Sequence, residues 1–246
     1  MVKTLSPSAL GLALVLFVLA GSARAQSSPA SEGGAAVAPA ATPGTRTLVL
    51  VRHGNYDEED ARDERVGRGL RPIGVAQARL VGGRLRALPV RFDALVASPL
   101  TRARQTAEIV AAELGLGAPR IDPDLAECTP PTRRADIMAK ETAEDLAACA
   151  AQLDRLAGRL LAPSPAGDSR ELVVAHGNVI RYLVTRALAV DPTAWLGMSI
   201  GHASLTVIVV DPAGAARVLA VGDVGHLPPA FQTGAWGDPP RDLALP

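Results

Sequence analysis

The stretch Leu48-Val49-Leu50-Val51-Arg52-His53-Gly54 decides how the rest of the chain reads. Together with Thr47 it gives a continuous apolar run, rich in β-branched residues and too short for a helix. Runs of this kind mark strands buried on both faces, as in parallel sheets. A strand is therefore expected over 47–51. It ends on a guanidinium, an imidazole and a glycine. Residues 54–69 are charged and Gly-bearing and read as a loop, with Asp57-Glu58-Glu59-Asp60 as a solvated acidic segment.

The same pattern recurs outward from this strand. Ile73, Ala76, Leu80, Leu85 and Leu88 have helical spacing, and Pro72 suits a first helical position, so a helix is expected over 72–88. Phe92 to Ala97 reads as a second strand. Ser98-Pro99 reads as an N-cap followed by the first residue of a helix to about Leu114. Residues 121–132 are Pro-rich and irregular. Leu146, Leu153, Leu156, Leu160 and Leu161 place a helix over 143–161. A third strand is expected at 171–175 and a helix at 178–189. Residues 203–210 and 217–221 flank the turn Asp211-Pro212-Ala213-Gly214 and read as an antiparallel pair. The alternation implies an α/β three-layer sandwich: a mostly parallel central sheet with helices on both faces.

Composition agrees. Of 246 residues 48% are apolar but only 3% aromatic, so the core is built of Leu, Val, Ala and Ile. The formal charge of zero lacks the basic excess of a nucleic-acid-binding protein. At the N-terminus, Lys3, the apolar run Leu10 to Ala20 and the small residues of Ala23-Arg24-Ala25 predict a signal peptide over 1–25, cut before Gln26. The run is shorter than the about 20 residues of a membrane span. An exported protein, periplasmic or secreted and off the membrane after cleavage, is expected. Residues 26–45 are Ala, Pro, Ser and Gly and read as a flexible linker. A catalytic domain over 46–230 and a tail over 231–246 complete the expected organisation. Cys128 and Cys149 fit equally as a disulfide or as two small buried residues.

In open α/β sheets, ligands bind beyond the carboxyl ends of the strands. That is where the chemically useful residues fall. Arg52-His53-Gly54 closes the first strand, Ser98-Pro99-Leu100-Thr101-Arg102 follows the second, and His176-Gly177-Asn178 follows the third. Two helix N-termini point at the same edge, and these favour anions. Arg102 in a first helical turn opposes the helix dipole, a conflict that a bound anion resolves. Phosphate is the expected ligand, held by Arg52, Arg102, His176, Asn55 and Gly177. A phosphate monoester carries ≈ −1.5 to −2 charge. His53, kept neutral by these cations, would attack phosphorus and become a phosphohistidine. The departing alkoxide needs a proton donor. Glu127 has a slight lead over Glu108 and Glu113, while Asp122 and Asp124 lie in the Glu127 loop. His202 and His226 read as rim or surface residues. The four histidines have no short metal-ligand spacing, so neither metal nor cofactor is expected.

These residues resemble the histidine phosphatase superfamily, also called phosphoglycerate-mutase-like. The matching pieces are 50–54, then Ser98-Pro99-Leu100-Thr101-Arg102-Ala103-Arg104-Gln105-Thr106-Ala107, then Ala126-Glu127, then Ala175-His176-Gly177. The resemblance implies His53 as nucleophile, Glu127 as general acid and base, Arg52, Arg102 and His176 as the phosphate pocket, and the first of the family's two branches. Within that branch, 176–182 and 222–229 are similar to mitochondrial Ser/Thr protein phosphatases, from which the secretion-like N-terminus sets the expected residence apart. The implied activity is phosphomonoester hydrolysis on a small molecule or a phosphoprotein. A mutase-type phosphotransferase and a non-catalytic phosphate-binding protein are the alternatives. The oligomeric state is open.

Overall fold

The computed structural model describes residues 42–62 and 66–234. The chain divides into a unit of residues 1–39 and one of 40–246, and the structural description concerns the second. The readings of 1–25 as a signal peptide and of 26–41 as a linker lie outside the described residues, as does 235–246 of the expected tail. The linker's expected end at 45 is corrected, because Pro43 to Thr45 already belong to the first strand and Pro43 pairs with Gly167.

The chain runs β1 (Pro43–Arg52), α1 (Pro72–Arg86), β2 (Ala94–Ala97), α2 (Thr101–Leu114), β3 (Arg120–Ile121), α3 (Ala135–Met138), α4 (Ala143–Leu160), β4 (Gly167–Ala175), α5 (Gly177–Ala187), β5 (Leu205–Val210) and β6 (Ala216–Asp223). The sheet order is β3-β2-β4-β1-β5-β6. The pairs β3/β2, β2/β4 and β4/β1 are parallel. The pairs β1/β5 and β5/β6 are antiparallel, so the chain finishes with a hairpin added to a parallel sheet.

Strand alternation sorts the core into two layers. Leu48, Leu50, Val96, Val173 and Ala175 face one side, where Cys149, Leu153 and Leu156 of α4 and Val179, Ile180 and Leu183 of α5 cover them. Val49, Val51, Leu95, Ala97, Leu172 and Val174 face the other, under Val81 and Leu85 of α1 and Ala103, Ala107 and Val110 of α2. This is the three-layer α/β sandwich that the sequence predicts.

Three local differences bear on the site. The helix after β2 starts at Thr101 with Leu100 as its cap, so Ser98 is not an N-cap; its hydroxyl accepts from the Leu100 amide and meets His176 instead. The irregular segment 121–132 begins on the last residue of the two-residue edge strand β3 and contains a 3-10 turn over Pro123–Leu125, capped by the Asp122 carboxylate. Cys128 and Cys149 are joined in a disulfide between that segment and α4. Among the described residues no helix is long and apolar enough to cross a membrane.

Candidate active site

β1 delivers Arg52 and His53 to the carboxyl edge of the sheet, and both are buried. The His53 amide donates to the Ala175 carbonyl at 3.0 Å, tying the end of β1 to the end of β4. Gly54 donates to Thr106 Oγ1 at 3.0 Å, and Thr106 donates to the Arg102 carbonyl at 2.7 Å. The backbone after His53 is thus fixed to α2, the helix that carries Arg102. The Asn55 amide donates to Gln77 Oε1 at 2.7 Å, which fixes it to α1 as well. Gly54 and Gly74 face each other so closely that a Cβ on Gly74 would overlap the Asn55 carbonyl.

The imidazole of His53 is held in one tautomer. Nδ1 lies 2.8 Å from the Gly54 carbonyl, which can only accept, so Nδ1 carries the proton. Nε2 keeps its lone pair, and Arg102 Nε donates toward it at 3.2 Å. Burial first, then His176 and the guanidiniums of Arg52 and Arg102, push the pKa of His53 well below the usual histidine value. A neutral nucleophile is the outcome.

His176 follows β4. Its Nε2 lies 2.7 Å from Ser98 Oγ. Ser98 Oγ accepts from the Leu100 amide and has a proton of its own; when that proton goes to His176 Nε2, Nδ1 is left as an N–H donor. That Nδ1 is buried with no hydrogen-bond partner among the described residues, 3.5 Å from Glu127 Oε2. Arg52 Nε is likewise buried and without one. The rest of the Arg52 fork is fixed: Nη1 donates to the Ile200 carbonyl at 2.6 Å and Nη2 to His202 Nε2 at 3.1 Å. Burial lowers the Arg52 pKa to about 10, which leaves it cationic at neutral pH.

Glu127 stands opposite. Its Oε1 accepts from the Asn178 amide, in the first turn of α5, at 3.2 Å. Desolvation raises its pKa against the lowering pull of Arg102 and Arg52. A carboxyl group with a raised pKa beside a neutral imidazole is the arrangement that proton donation requires. One ligand atom each from His53, Glu127 and His176 lie within 4.8 Å of one another. The trio has donors suited to a divalent ion, but the flanking Arg52 and Arg102 charges oppose a dication and favour an anion.

Four of the five expected catalytic residues, His53, Glu127, Arg52 and Arg102, line a pocket of about 280 Å³ together with Gly177, Asn178 and Arg181; the fifth, His176, lies behind them with its ring 5.0 Å from that of His53. Asn55 contributes its backbone to the loop next to His53. Gly177 lies against Arg52, where an added Cβ would sit 3.6 Å from Nε. The competing acids are elsewhere: Glu108 is exposed on α2, and Glu113 pairs with Arg86 at 3.0 Å. Asp122 and Asp124 are bound by Arg155 and Arg159. In the acidic loop, Asp60 accepts from the Gly69 amide at 2.8 Å, so it shapes the loop rather than only facing solvent.

Sequence reading passed over Tyr56 and Arg181 and left His202 between the pocket rim and the surface. Tyr56 sets its ring edge-on to His53 at 5.4 Å, with Arg102 over it at 4.9 Å. His202 lies beside the site, not on the surface. Its Nδ1 donates to Thr233 Oγ1 at 2.9 Å, leaving Nε2 to accept from Arg52. Burial lowers its pKa to about 3. Arg181 was legible: it lies four residues after Gly177, hence on the same helix face. Its Nε donates to the Met198 carbonyl at 2.9 Å. His226 stays apart from the pocket, donating to the Ala203 carbonyl at 3.0 Å.

Comparison with known proteins gives the same grouping. A family model described as the histidine phosphatase superfamily (branch 1) matches residues 48–131 and 129–223. The mitochondrial serine/threonine-protein phosphatase Pgam5 of Caenorhabditis briggsae is 36% identical over 193 residues. The human mitochondrial serine/threonine-protein phosphatase PGAM5 is 35% identical over 191. Each match covers 75% of this chain and 65% of the relative, so the chain spans about two thirds of their length. A phosphoglycerate mutase from Plasmodium falciparum superposes with a TM-score of 0.52 and 26% identity, over 75% of this chain and 95% of its own. The expectation of export is corrected by these relatives, which are mitochondrial proteins by name and not signal-peptide-bearing, periplasmic or secreted ones. A single Lys before a short apolar run is common to several kinds of address, and its physical chemistry does not name the membrane.

Proposed function

The chain belongs to the histidine phosphatase superfamily, branch 1, and on that footing we propose that it hydrolyses phosphomonoesters through a phosphohistidine on His53. The domain that does so is taken as residues 46–230. The observation that carries the reading is the pair of buried nitrogens without hydrogen-bond partners among the described residues, Arg52 Nε and His176 Nδ1, beside an imidazole whose Nε2 is unprotonated. Buried donors are normally satisfied. Phosphoryl oxygens would satisfy both.

The reaction runs in two halves. Arg52 Nε, His176 Nδ1 and the Arg102 guanidinium hold the non-bridging oxygens, where charge spreads in the transition state. Arg102, whose Nε donates to the nucleophile's lone pair, turns its donors to the phosphate. Nε2 of His53 then forms a bond to phosphorus as the ester P–O bond breaks, and Glu127 gives its proton to the departing alkoxide. In the second half the Glu127 carboxylate takes a proton from water, the hydroxide oxygen attacks phosphorus, and the N–P bond breaks to release phosphate. All charge stabilisation comes from protein donors, so a divalent ion has no task.

Relatives named as Ser/Thr phosphatases support phosphoserine and phosphothreonine in proteins as the substrate class. The solved mutase supports the competing outcome, return of the phosphoryl group to a sugar acid. The test is an assay of the full chain and of His53→Ala on p-nitrophenyl phosphate, phosphoserine and phosphothreonine peptides and 3-phosphoglycerate, with and without EDTA. We expect peptide hydrolysis that survives the chelator and is lost in His53→Ala. Equal hydrolysis by both proteins overturns the mechanism. Isomerisation of 3-phosphoglycerate in place of phosphate release makes the chain a mutase.

A further inference from the structure

α4 contributes no group to the pocket, yet it grips the loop that carries the proton donor. Gln152 Nε2 donates to two carbonyls of that loop, Asp124 O at 3.1 Å and Ala126 O at 2.9 Å. Ala126 directly precedes Glu127. On the following side, Cys128 is bonded to Cys149 of α4. Cys149 and Gln152 are three residues apart and share one helix face with Leu156 and Arg159. Arg155 and Arg159 extend the grip to Asp124 and Asp122 at 3.1 and 2.9 Å. Those exposed pairs contribute little energy. The two ties that flank Glu127 are different in kind: a covalent bond after it and a forked hydrogen bond before it.

α5 completes the frame. Besides the Asn178 amide on Glu127 Oε1, Asn178 Nδ2 donates to the Cys128 carbonyl at 3.1 Å. Glu127 is therefore held between two helices that belong to the same layer of the sandwich. A proton donor must lie within hydrogen-bond reach of the leaving oxygen, and a displacement of about 1 Å can cost 10²-fold.

We propose that Gln152 and the Cys128–Cys149 disulfide are positioning elements for Glu127, setting its carboxyl at the distance that protonates a poor leaving group. Cys128, Cys149, Gln152 and Glu127 all line one cleft of about 650 Å³ that opens beside the catalytic pocket, so a small dithiol can reach the bond. Dithiol reduction converts the disulfide to two thiols, with the reductant leaving as its cyclic disulfide, and releases one of the two ties. The proposal rests on Glu127 being the proton donor in a phosphatase.

The experiment measures kcat/KM, which includes leaving-group departure, for a phosphoserine peptide and for p-nitrophenyl phosphate. Nitrophenolate departs without a proton donor; serine alkoxide does not. Wild type, Gln152→Met, dithiothreitol-reduced wild type and Cys149→Ser are compared, each alone and in a Glu127→Gln background. We expect the peptide value to fall about 10–100-fold in the altered proteins while the p-nitrophenyl value holds, and no further fall once Glu127 is Gln. Equal losses on both substrates, no loss on either, or losses that persist in Glu127→Gln overturn the proposal. If Gln152→Met does not fold, the reduced wild type gives the same ratio. A wild type inactive on both substrates overturns the phosphatase reading along with this one; an active wild type whose ratio stays constant across the variants overturns only the positioning role.

Discussion

The Gly54 carbonyl does for His53 what a carboxylate does for many catalytic histidines: it takes the Nδ1 proton and leaves Nε2 free to attack. Glu127 is the complementary group, a carboxyl whose pKa burial raises. The two shifts set the pH dependence. His53, lowered, stays neutral well into the acid range, whereas Glu127, raised, stays protonated above the usual carboxylate range. Phosphoserine-peptide kcat/KM should therefore decline as pH rises through the raised Glu127 value. Glu127→Gln should lower that parameter by roughly 10²–10⁴-fold and remove the decline, with a much smaller effect on p-nitrophenyl phosphate. Identical pH profiles for the two proteins would contradict the assignment. Arg52, His53 and His176 were legible because each stands at a strand end. Spacing gave Glu127 only a slight edge over Glu108 and Glu113, because its approach to His176 depends on where a loop folds. The roles of Thr106 and Gln77 were not legible, since buried polar side chains that orient others carry no motif, and His202 read only as a rim or surface residue.

At the scale of elements, β1, β2 and β4 and the helices that follow them were readable from apolar runs and 3.6-residue spacing, with ends shifted by a few residues. The misses were short. β3 has two residues and α3 four, too few for any period to show. The disulfide was open because pairing depends on α4 lying beside the 121–132 segment. The junction of α1 with the loop after His53 offers a sharp test. Gly74 and Gly83 lie on the same helix, where Ala is intrinsically favoured by roughly 1 kcal/mol. A Cβ on Gly83 meets nothing within 4 Å, whereas one on Gly74 meets the Asn55 backbone. Gly83→Ala should raise the thermal midpoint. Gly74→Ala should lower it, because overpacking strain costs about 1–3 kcal/mol of stability, and should reduce activity through the shifted Asn55. Equal changes in the two midpoints would show that the close approach is absent.

For the whole molecule, the cost of a site lined by buried neutral histidines appears in acid. His53, His176 and His202 all have folded pKa values depressed below the unfolded value near 6.5, that of His202 to about 3. Their contribution to stability is complete above that pH and declines below it, each by about 1.4 kcal/mol per pH unit. Glu127, raised, works the other way once pH falls through its folded value. Three imidazoles outweigh one carboxyl, so the net effect is a loss of stability toward acid, against a total of about 5–15 kcal/mol for an ordinary domain. Melting followed from pH 7.5 downward should show a steep fall in midpoint below about pH 6. A flat midpoint to pH 5 would mean that the imidazoles are not held neutral by burial. The central claim is that phosphoryl transfer passes through His53, and trapping tests it most directly: mix the full chain with a phosphomonoester, quench in alkali, digest, and locate the phosphoryl group by mass spectrometry. The account predicts one base-stable, acid-labile phosphoryl group on His53 that is missing from His53→Ala; a phosphoryl group on any other residue, or sustained hydrolysis with none trapped, would contradict it.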